Sequence, residues 1–315
     1  MKVNEAITQY IDYRSNLGEK VRTIRYLLLG FGKYVGFDDD LVTITEDECS
    51  KYLNFKGMQN GKATSYWFCI YSALEGLYQW AIVRGYVENC ALPKYKPNEP
   101  EAFKPYIYSN DELKRLFSAA MSYRKRFNTL YPEVIQVMLK TTYCLGLRPS
   151  ETVNLHVNDV DIANGIVYIR ETKFYKSRMI PIGDQVLSIV KQYVSWRVNA
   201  VRKMTSTDNH LFLDKKGHPV KLSALQQAFR LICDVADVHR NDMSRCDVRL
   251  QDLRHTFATN RITQWYREGK NVQTLLPVLS TYLGHCNLDS TAVYITFTDS
   301  LLTEASNKFK SYVEV

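Results

Sequence analysis

A proline-rich stretch divides the chain and limits the folds that are open to it. Residues 91–105, ALPKYKPNEPEAFKP, contain four prolines and no repeating apolar spacing, which is typical of a linker. Because proline fixes the backbone φ angle and lacks an amide donor, neither a helix nor a central strand can continue through this stretch. The chain has 315 residues, enough for about two domains of ordinary size. We therefore expect two domains, joined by a linker at residues 93–106.

The segment before the linker, residues 1–92, is predicted to be a small helical domain. It carries apolar side chains at helical spacing in four separate runs. Thr45, followed by Glu48 three positions later, matches a capping box at the start of the third run. The pattern therefore predicts an all-α domain of four helices.

The segment after the linker, residues 107–315, mixes helices with a short β region. Strand-like runs are separated first by the turn residues Asn164-Gly165 and then by a charged tip around Lys173, which predicts a short β region. The fold class is thus mainly α with a small β-sheet, an α+β arrangement. Further helices are expected at 184–203, 222–236, 252–266, 271–283 and 288–296, with one more in the tail at 301–315.

Composition narrows the partners and the compartment. The formal net charge of +8 favours a polyanionic partner such as nucleic acid. The seven cysteines include no CxxC pair and no His/Cys spacing that suits zinc, so reduced thiols in the cytoplasm are the simplest interpretation. The first residues lack the apolar region of a signal peptide, and no apolar run approaches membrane-spanning length. We expect a cytoplasmic protein with no membrane contact.

Four short clusters contain residue types that suit a phosphodiester substrate. They are GLRPSE, ETKFYKSRMIPI, QDLRHTF and YLGHCNLDSTAVY. Each is a weak signal alone. In GLRPSE, for example, an Arg–Glu pair three residues apart is commonly structural. Together they supply arginines that hold phosphate oxygens, a tyrosine that can attack phosphorus and a lysine that can protonate the leaving oxygen. Such chemistry requires no metal or cofactor, and the sequence has no obvious carboxylate cluster for one.

In order and spacing, these clusters resemble the tyrosine recombinases, also called the phage integrase family. The likeness spans the second domain, and the first resembles the family's core-binding domain more loosely. The resemblance implies a two-domain clamp around double-stranded DNA, with residues 1–92 as core-binding domain and 107–315 as catalytic domain. It implies a site-specific recombinase, of the kind that moves mobile elements, that cleaves and rejoins DNA through a 3′-phosphotyrosyl intermediate. It also implies a tetramer on paired sites, with contacts between protomers made by the C-terminal tail.

The resemblance further implies a role for each residue that matches a family motif. Arg148 and Arg254 would hold the scissile phosphate, and His285 would donate a hydrogen bond to it. Tyr294 would be the nucleophile, and Glu151 would support the site. Lys173 would protonate the 5′ oxygen, and Lys176 is the less favoured candidate for this role.

Gln251 departs from the family pattern, which has a histidine three residues before the second arginine. Helical spacing places Gln251 on the face of Arg254 and directs His255 elsewhere. A histidine beside apolar residues is expected to be a satisfied core group, and the resemblance implies that His255 does not replace the missing histidine, because family members commonly carry a histidine at that position as well. An amide exchanges hydrogen bonds but cannot take up a proton near neutral pH. We expect an active enzyme in which Gln251 holds a phosphate oxygen or the tyrosine hydroxyl. Two alternatives stay open: a type IB topoisomerase-like enzyme, and a DNA-binding regulator with a decayed site.

Overall fold

A computed structural model gives the architecture of most of the chain. It describes residues 1–100, 104–123, 129–170, 177–204, 208–241, 247–285, 291 and 294. Several predictions lie outside these residues: the hairpin tip with Lys173 and Lys176, most of the helix at 288–296, and the tail at 301–315.

The chain contacts form two compact units, Met1–Phe103 and a second that begins at Lys104. The first unit contains four helices: α1 (Val3–Asn16), α2 (Arg22–Val35), α3 (Glu46–Gly57) and α4 (Ser65–Val83). The capping box is present, since the Thr45 hydroxyl accepts a hydrogen bond from the Glu48 amide and the Glu48 carboxylate accepts one from the Thr45 amide. The four predicted helices are therefore confirmed.

A small antiparallel ladder in this unit was not predicted. Strands β1 (Met58–Gln59) and β2 (Lys62–Ala63) pair across Asn60-Gly61, a dipeptide that favours tight hairpin turns. Two-residue strands are too short to produce an alternating apolar pattern, and for this reason the sequence suggested helices alone.

The second unit contains helices of very different length. They are α5 (Asn110–Met121), α6 (Pro132–Cys144), α7 (Pro149–Val153), α8 (Asp184–Met204), α9 (Leu222–Ala236), α10 (Asp252–Arg267) and α11 (Val272–Leu283). The bounds of α8 to α11 lie within one residue of the predicted ones, because each helix has a clear apolar stripe between turn residues. The short helix α7 was not predicted, and it carries the Arg148 and Glu151 motif.

A three-stranded antiparallel sheet is inserted between α7 and α8. Strands β3 (Val160–Asp161), β4 (Ile166–Ile169) and β5 (Arg178–Pro181) follow the order β3-β4-β5. Val167 pairs with Ile180, and both side chains are buried. This register places Arg178 opposite Ile169 at the start of β5. The predicted β region is confirmed, and Asn164-Gly165 lies between β3 and β4 as predicted.

Within the described ranges, the helices are too short or too polar for any of them to cross a lipid bilayer.

The turn after α6 leaves no room for a side chain at Gly146. Gly146 has a φ of +58°, and a Cβ at this position would lie 2.5 Å from the Phe257 ring and 3.1 Å from Leu283. Only glycine adopts this conformation without a steric penalty, and the close packing of α10 and α11 adds a second requirement for a missing side chain.

We expect Gly146→Ala to destabilise the protein more than Gly269→Ala. Gly269 has a similar φ of +68° but no atom within 4 Å of a Cβ, so alanine there adds only the left-handed strain of about 1–2 kcal/mol. At residue 146, overpacking should add about 1–3 kcal/mol. Urea titrations of the two variants measure the difference, and equal free energies of unfolding would contradict the packing argument.

Candidate active site

Three arginines from three separate elements converge on one carboxylate. Arg148 precedes α7, Arg178 lies in β5, Arg254 lies in the first turn of α10, and Glu151 is in α7. One Glu151 oxygen, Oε1, accepts hydrogen bonds from Arg148 Nη1 at 2.8 Å and Arg178 Nη1 at 3.0 Å. The other, Oε2, accepts from Arg178 Nη2 at 2.8 Å and lies 3.7 Å from Arg254 Nη1. The carboxylate thus sets the spacing of all three guanidiniums.

The same guanidiniums bind the carbonyl oxygens at the end of α11. Arg178 Nε donates to Tyr282 at 2.8 Å, and Arg254 Nη2 donates to Leu283 at 2.7 Å. Arg148 Nη2 donates to the next carbonyl, that of Gly284, at 3.1 Å. The last carbonyls of a helix lack partners within the helix and carry its partial negative charge. Three consecutive residues therefore each accept a hydrogen bond from a different arginine.

Burial determines the charge state of the cluster. Burial alone would raise the pKa of Glu151, but the hydrogen bonds and the charge of Arg178 outweigh it and lower the pKa to about 2. Arg254 is only 1% exposed, and burial followed by the charge of Arg148 lowers its pKa to about 10. Glu151 and Arg254 are therefore both ionised near neutral pH. Because arginine side chains stay protonated in proteins, three positive charges face a single negative one.

Tyr294 and His285 lie beside this cluster. Burial raises the pKa of Tyr294, whereas the charge of Arg254 and a hydrogen bond from it act in the opposite direction. The Tyr294 ring stacks on His285 with centroids 6.0 Å apart. Burial, with the charges of Arg254 and Arg148, lowers the pKa of His285 to about 4, so its imidazole is neutral at pH 7. The described residues thus bring together five of the predicted site residues.

The His285 imidazole is oriented by a neighbouring hydroxyl. Its Nδ1 lies 2.7 Å from Thr291 Oγ1, a side chain that is fully buried. This hydrogen bond leaves the other ring nitrogen as the one available to a ligand.

His255 is not the satisfied core histidine that the sequence suggested. Its ring contacts Tyr294, with centroids 5.5 Å apart and planes at 52°. Its Nδ1 is buried and has no hydrogen-bond partner among the described residues. Tyr294 also receives a hydrogen bond from Arg254, so it contacts two neighbouring residues of α10. Helical spacing could not show this, because Tyr294 comes from outside that helix.

Gln251 immediately precedes α10, where its carbonyl accepts from the Arg254 amide at 3.1 Å. Its side chain lines a pocket of about 380 Å³, together with Arg148, Gln226, Arg230 and Arg249. The pocket therefore combines amide and guanidinium donors, a chemistry that suits an anionic ligand. Lys173, the remaining predicted site residue, lies outside the described residues.

Arg178 is a site residue that sequence reasoning missed. It lies in the ETKFYKSRMIPI segment, where the two lysines drew attention as candidate proton donors. Its side chain is 9% exposed, which is unusual for a charged residue without a specific partner. An arginine at the start of a predicted strand was the available signal, since a charge that becomes buried there needs a carboxylate nearby.

The chain is similar to known proteins over most of its length. The Phage integrase family matches residues 108–300. A protein of Sinorhizobium fredii named as an integrase/recombinase, y4rB, is 27% identical over 313 residues, which cover 97% of this chain and 96% of that protein. Tyrosine recombinase XerA of Thermococcus kodakarensis is 25% identical, with 98% and 96% covered. The structure of the Tn1549 transposon integrase in complex with a circular intermediate DNA has a TM-score of 0.70 at 15% identity and covers 99% of both chains.

We expect the free energy of unfolding to fall as pH falls from about 4.5 towards 2, in a manner that depends on Glu151. Its pKa is depressed in the folded protein from 4.5 to about 2, so its stabilisation is present above the unfolded pKa and lost as the folded protein takes up the proton. The shift corresponds to roughly 3 kcal/mol.

Urea titrations between pH 2 and pH 6 measure this effect, with Glu151→Gln as the comparison. The variant should be about 3–5 kcal/mol less stable near pH 6, because a buried ion-pair partner is lost, and its stability should depend less on pH. An equal pH dependence in both proteins would show that the arginines do not depress the pKa of Glu151.

Proposed function

The chain belongs to the phage integrase family and is a site-specific tyrosine recombinase, and we propose that Arg148, Arg254, His285 and Tyr294 carry its chemistry. The observation that supports this proposal most directly is the position of Tyr294, whose phenol is buried against Arg254 and stacked on His285. The candidate nucleophile thus lies beside permanently charged guanidiniums and a neutral imidazole.

The surplus positive charge is suited to a phosphodiester. A scissile phosphate between Arg148 and Arg254 would supply the negative charge that the cluster lacks, and guanidiniums match phosphate oxygens in pairs. The same donors stabilise the extra charge that develops as phosphorus becomes pentacoordinate. With its Nδ1 accepting a hydrogen bond from the Thr291 hydroxyl, the neutral His285 ring would carry its one N–H on Nε2 and donate it to a phosphate oxygen.

Cleavage then exchanges one ester for another. The Tyr294 oxygen forms a bond to phosphorus, the bond from phosphorus to the 5′ oxygen breaks, and Lys173 gives that oxygen a proton. The product is a 3′-phosphotyrosyl linkage and a free 5′ hydroxyl. Because the linkage keeps the energy of the broken ester, attack by another 5′ hydroxyl rejoins DNA without ATP.

Double-stranded DNA is the partner that this chemistry requires. Arg230 and Arg249, which line the pocket beside Arg148, are suited to phosphates that flank the cleaved one. Binding through such contacts should weaken steeply with salt. We further propose that four protomers act on two paired sites and that the tail from residue 301 joins neighbouring protomers. The free cysteines, including buried Cys49 and Cys233, fit a protein that works in the reducing cytoplasm.

The two alternatives differ from this proposal in what they produce. A type IB topoisomerase-like enzyme would form the same tyrosyl linkage but would relax DNA without pairing two sites. A decayed regulator would bind DNA and form no linkage, and the intact arginine, histidine and tyrosine cluster disfavours it. Recombination between two sites on one plasmid separates the first alternative, and covalent attachment to DNA separates the second.

Tyr294→Phe should abolish covalent attachment while DNA binding persists. The substitution keeps the ring that stacks on His285 and removes only the nucleophilic oxygen. The measurement is the yield of protein–DNA adduct on a nicked duplex that carries the sequence selected by the protein from random DNA.

Tyr143→Phe is the matched control, since Tyr143 lies in α6 and its hydroxyl accepts from Asn260 away from the arginines. It should form the adduct at the rate of the unaltered protein. An adduct from Tyr294→Phe would mean that another tyrosine is the nucleophile, with Tyr282 the next to test.

Lys173→Ala should cleave ordinary DNA slowly and recover on DNA with sulfur at the 5′ bridging position. A general acid contributes about 10²–10⁴-fold when the leaving group is poor, and sulfur leaves without protonation. Rates of adduct formation on both substrates measure the recovery. Equal defects on the two substrates would mean that Lys173 positions the phosphate, and Lys176→Ala provides the parallel variant.

A further inference from the structure

The proposed cleavage leaves one proton without an acceptor. When the Tyr294 oxygen bonds to phosphorus, its hydroxyl proton must move to a base. Arginines cannot accept it because they stay protonated, and Gln251 cannot because an amide does not bind a proton near neutral pH. Among the groups described beside Tyr294, only the two imidazoles of His285 and His255 can do so.

His285 is already engaged. Its Nδ1 is hydrogen-bonded to Thr291 at 2.7 Å, and its other nitrogen is assigned to the phosphate. If that nitrogen carries a hydrogen in order to donate, the ring has no site left for the tyrosine proton. His285 is therefore suited to stabilise the phosphate and poorly suited to act as the base at the same time.

His255 has the complementary properties. Its ring packs on Tyr294, and its buried Nδ1 has no hydrogen-bond partner among the described residues. A buried polar atom without a partner costs free energy of folding, and such atoms are more easily retained where a reaction uses them. Its neighbours are Arg249 before α10, Arg254 on α10, and His285 and Tyr294 after α11.

We propose that His255 accepts the Tyr294 proton and so replaces the histidine that Gln251 displaces. The inference rests on the proposed function, because it assumes that Tyr294 is the nucleophile. In the cleavage step the proton moves from the Tyr294 oxygen to the His255 imidazole, as the new oxygen–phosphorus bond forms and the bond to the 5′ oxygen breaks. The imidazolium returns this proton when the tyrosyl linkage is resolved.

The electrostatics of the site allow this transfer once DNA is bound. Burial, followed by the charges of Arg249 and Arg254, lowers the pKa of His255 to about 4, so the imidazole is neutral and able to accept a proton at pH 7. A scissile phosphate brings negative charge next to these arginines, and this raises the pKa of a nearby imidazole. The base therefore becomes stronger when its substrate arrives.

The test compares three variants with the unaltered protein: His255→Phe, His255→Gln, and His255→Phe combined with Gln251→His. Phenylalanine keeps the ring that packs on Tyr294, and glutamine keeps a hydrogen bond without a titrating nitrogen. Each protein is assayed for DNA binding and for the rate of adduct formation between pH 6 and pH 9, on the nicked duplex selected from random DNA.

We expect both single variants to bind DNA normally and to form adduct about 10²–10⁴-fold more slowly at pH 7. Their rates should rise about tenfold per pH unit, since hydroxide must then remove the proton. Gln251→His should restore part of the rate in the combined variant, because it supplies a titrating imidazole at the position used in the family. A purely structural role would give neither the pH response nor the rescue.

Three results would overturn the inference. The first is a rate of adduct formation by His255→Gln equal to that of the unaltered protein. The second is a defect that is the same at every pH and is not rescued by Gln251→His. The third is loss of DNA binding in both single variants, which would mean that the imidazole has a structural role. The proposed function fails separately: in that case the unaltered protein forms no adduct, or Tyr294→Phe still forms it.

Discussion

The carboxylate of Glu151 and three consecutive carbonyls at the end of α11 together hold every arginine of the site. Each guanidinium contacts both groups, so the final position of every one of these arginines depends on contacts among α7, β5, α10 and α11. Such shared contacts make the site cooperative, because moving one element disturbs the partners of the others. The tight turn at Gly146 belongs to the same arrangement, since its carbonyl accepts the remaining bond from Arg254 at 2.9 Å.

This arrangement leaves a net positive charge at the site, although the buried guanidinium of Arg254 has hydrogen-bond acceptors. Arg254 is almost fully buried, yet two carbonyls accept its hydrogen bonds and Glu151 lies within 4 Å. Its hydrogen bonds therefore offset much of the cost of burying the charge. One carboxylate does not neutralise three guanidiniums, and the remaining charge is suited to a phosphate. Preorganised donors of this kind need no rearrangement during the reaction, which is why they contribute strongly to catalysis.

A histidine at residue 251 could both form hydrogen bonds and accept a proton, whereas the glutamine found there can only form hydrogen bonds. Gln251 can still donate and accept hydrogen bonds at the pocket beside Arg148, whereas its amide cannot accept a proton near neutral pH. Two imidazoles contact the Tyr294 ring, and only His285 has a described hydrogen-bond partner for Nδ1. His255, which follows Arg254 on α10, thus contacts Tyr294 through tertiary packing. Its position in the helix does not by itself reveal this contact.

The sequence by itself determined the longer helices of both units, the β region after α7 and the order of the motifs, because caps, apolar spacing and turn residues act over a few positions. It did not reveal the short helix α7 or the β1–β2 ladder. Through the resemblance of its motifs to the tyrosine recombinases, it also indicated Arg148, Glu151, Arg254, His285 and Tyr294 as candidate site residues. Only the tertiary structure decided that Arg178 completes the cluster and that His255 contacts Tyr294, since these partners are far apart in the chain. The acceptors at Tyr282, Leu283 and Gly284 could not be predicted at all. Every residue carries the same backbone carbonyl, and only the end of a packed helix makes three of them available to arginines.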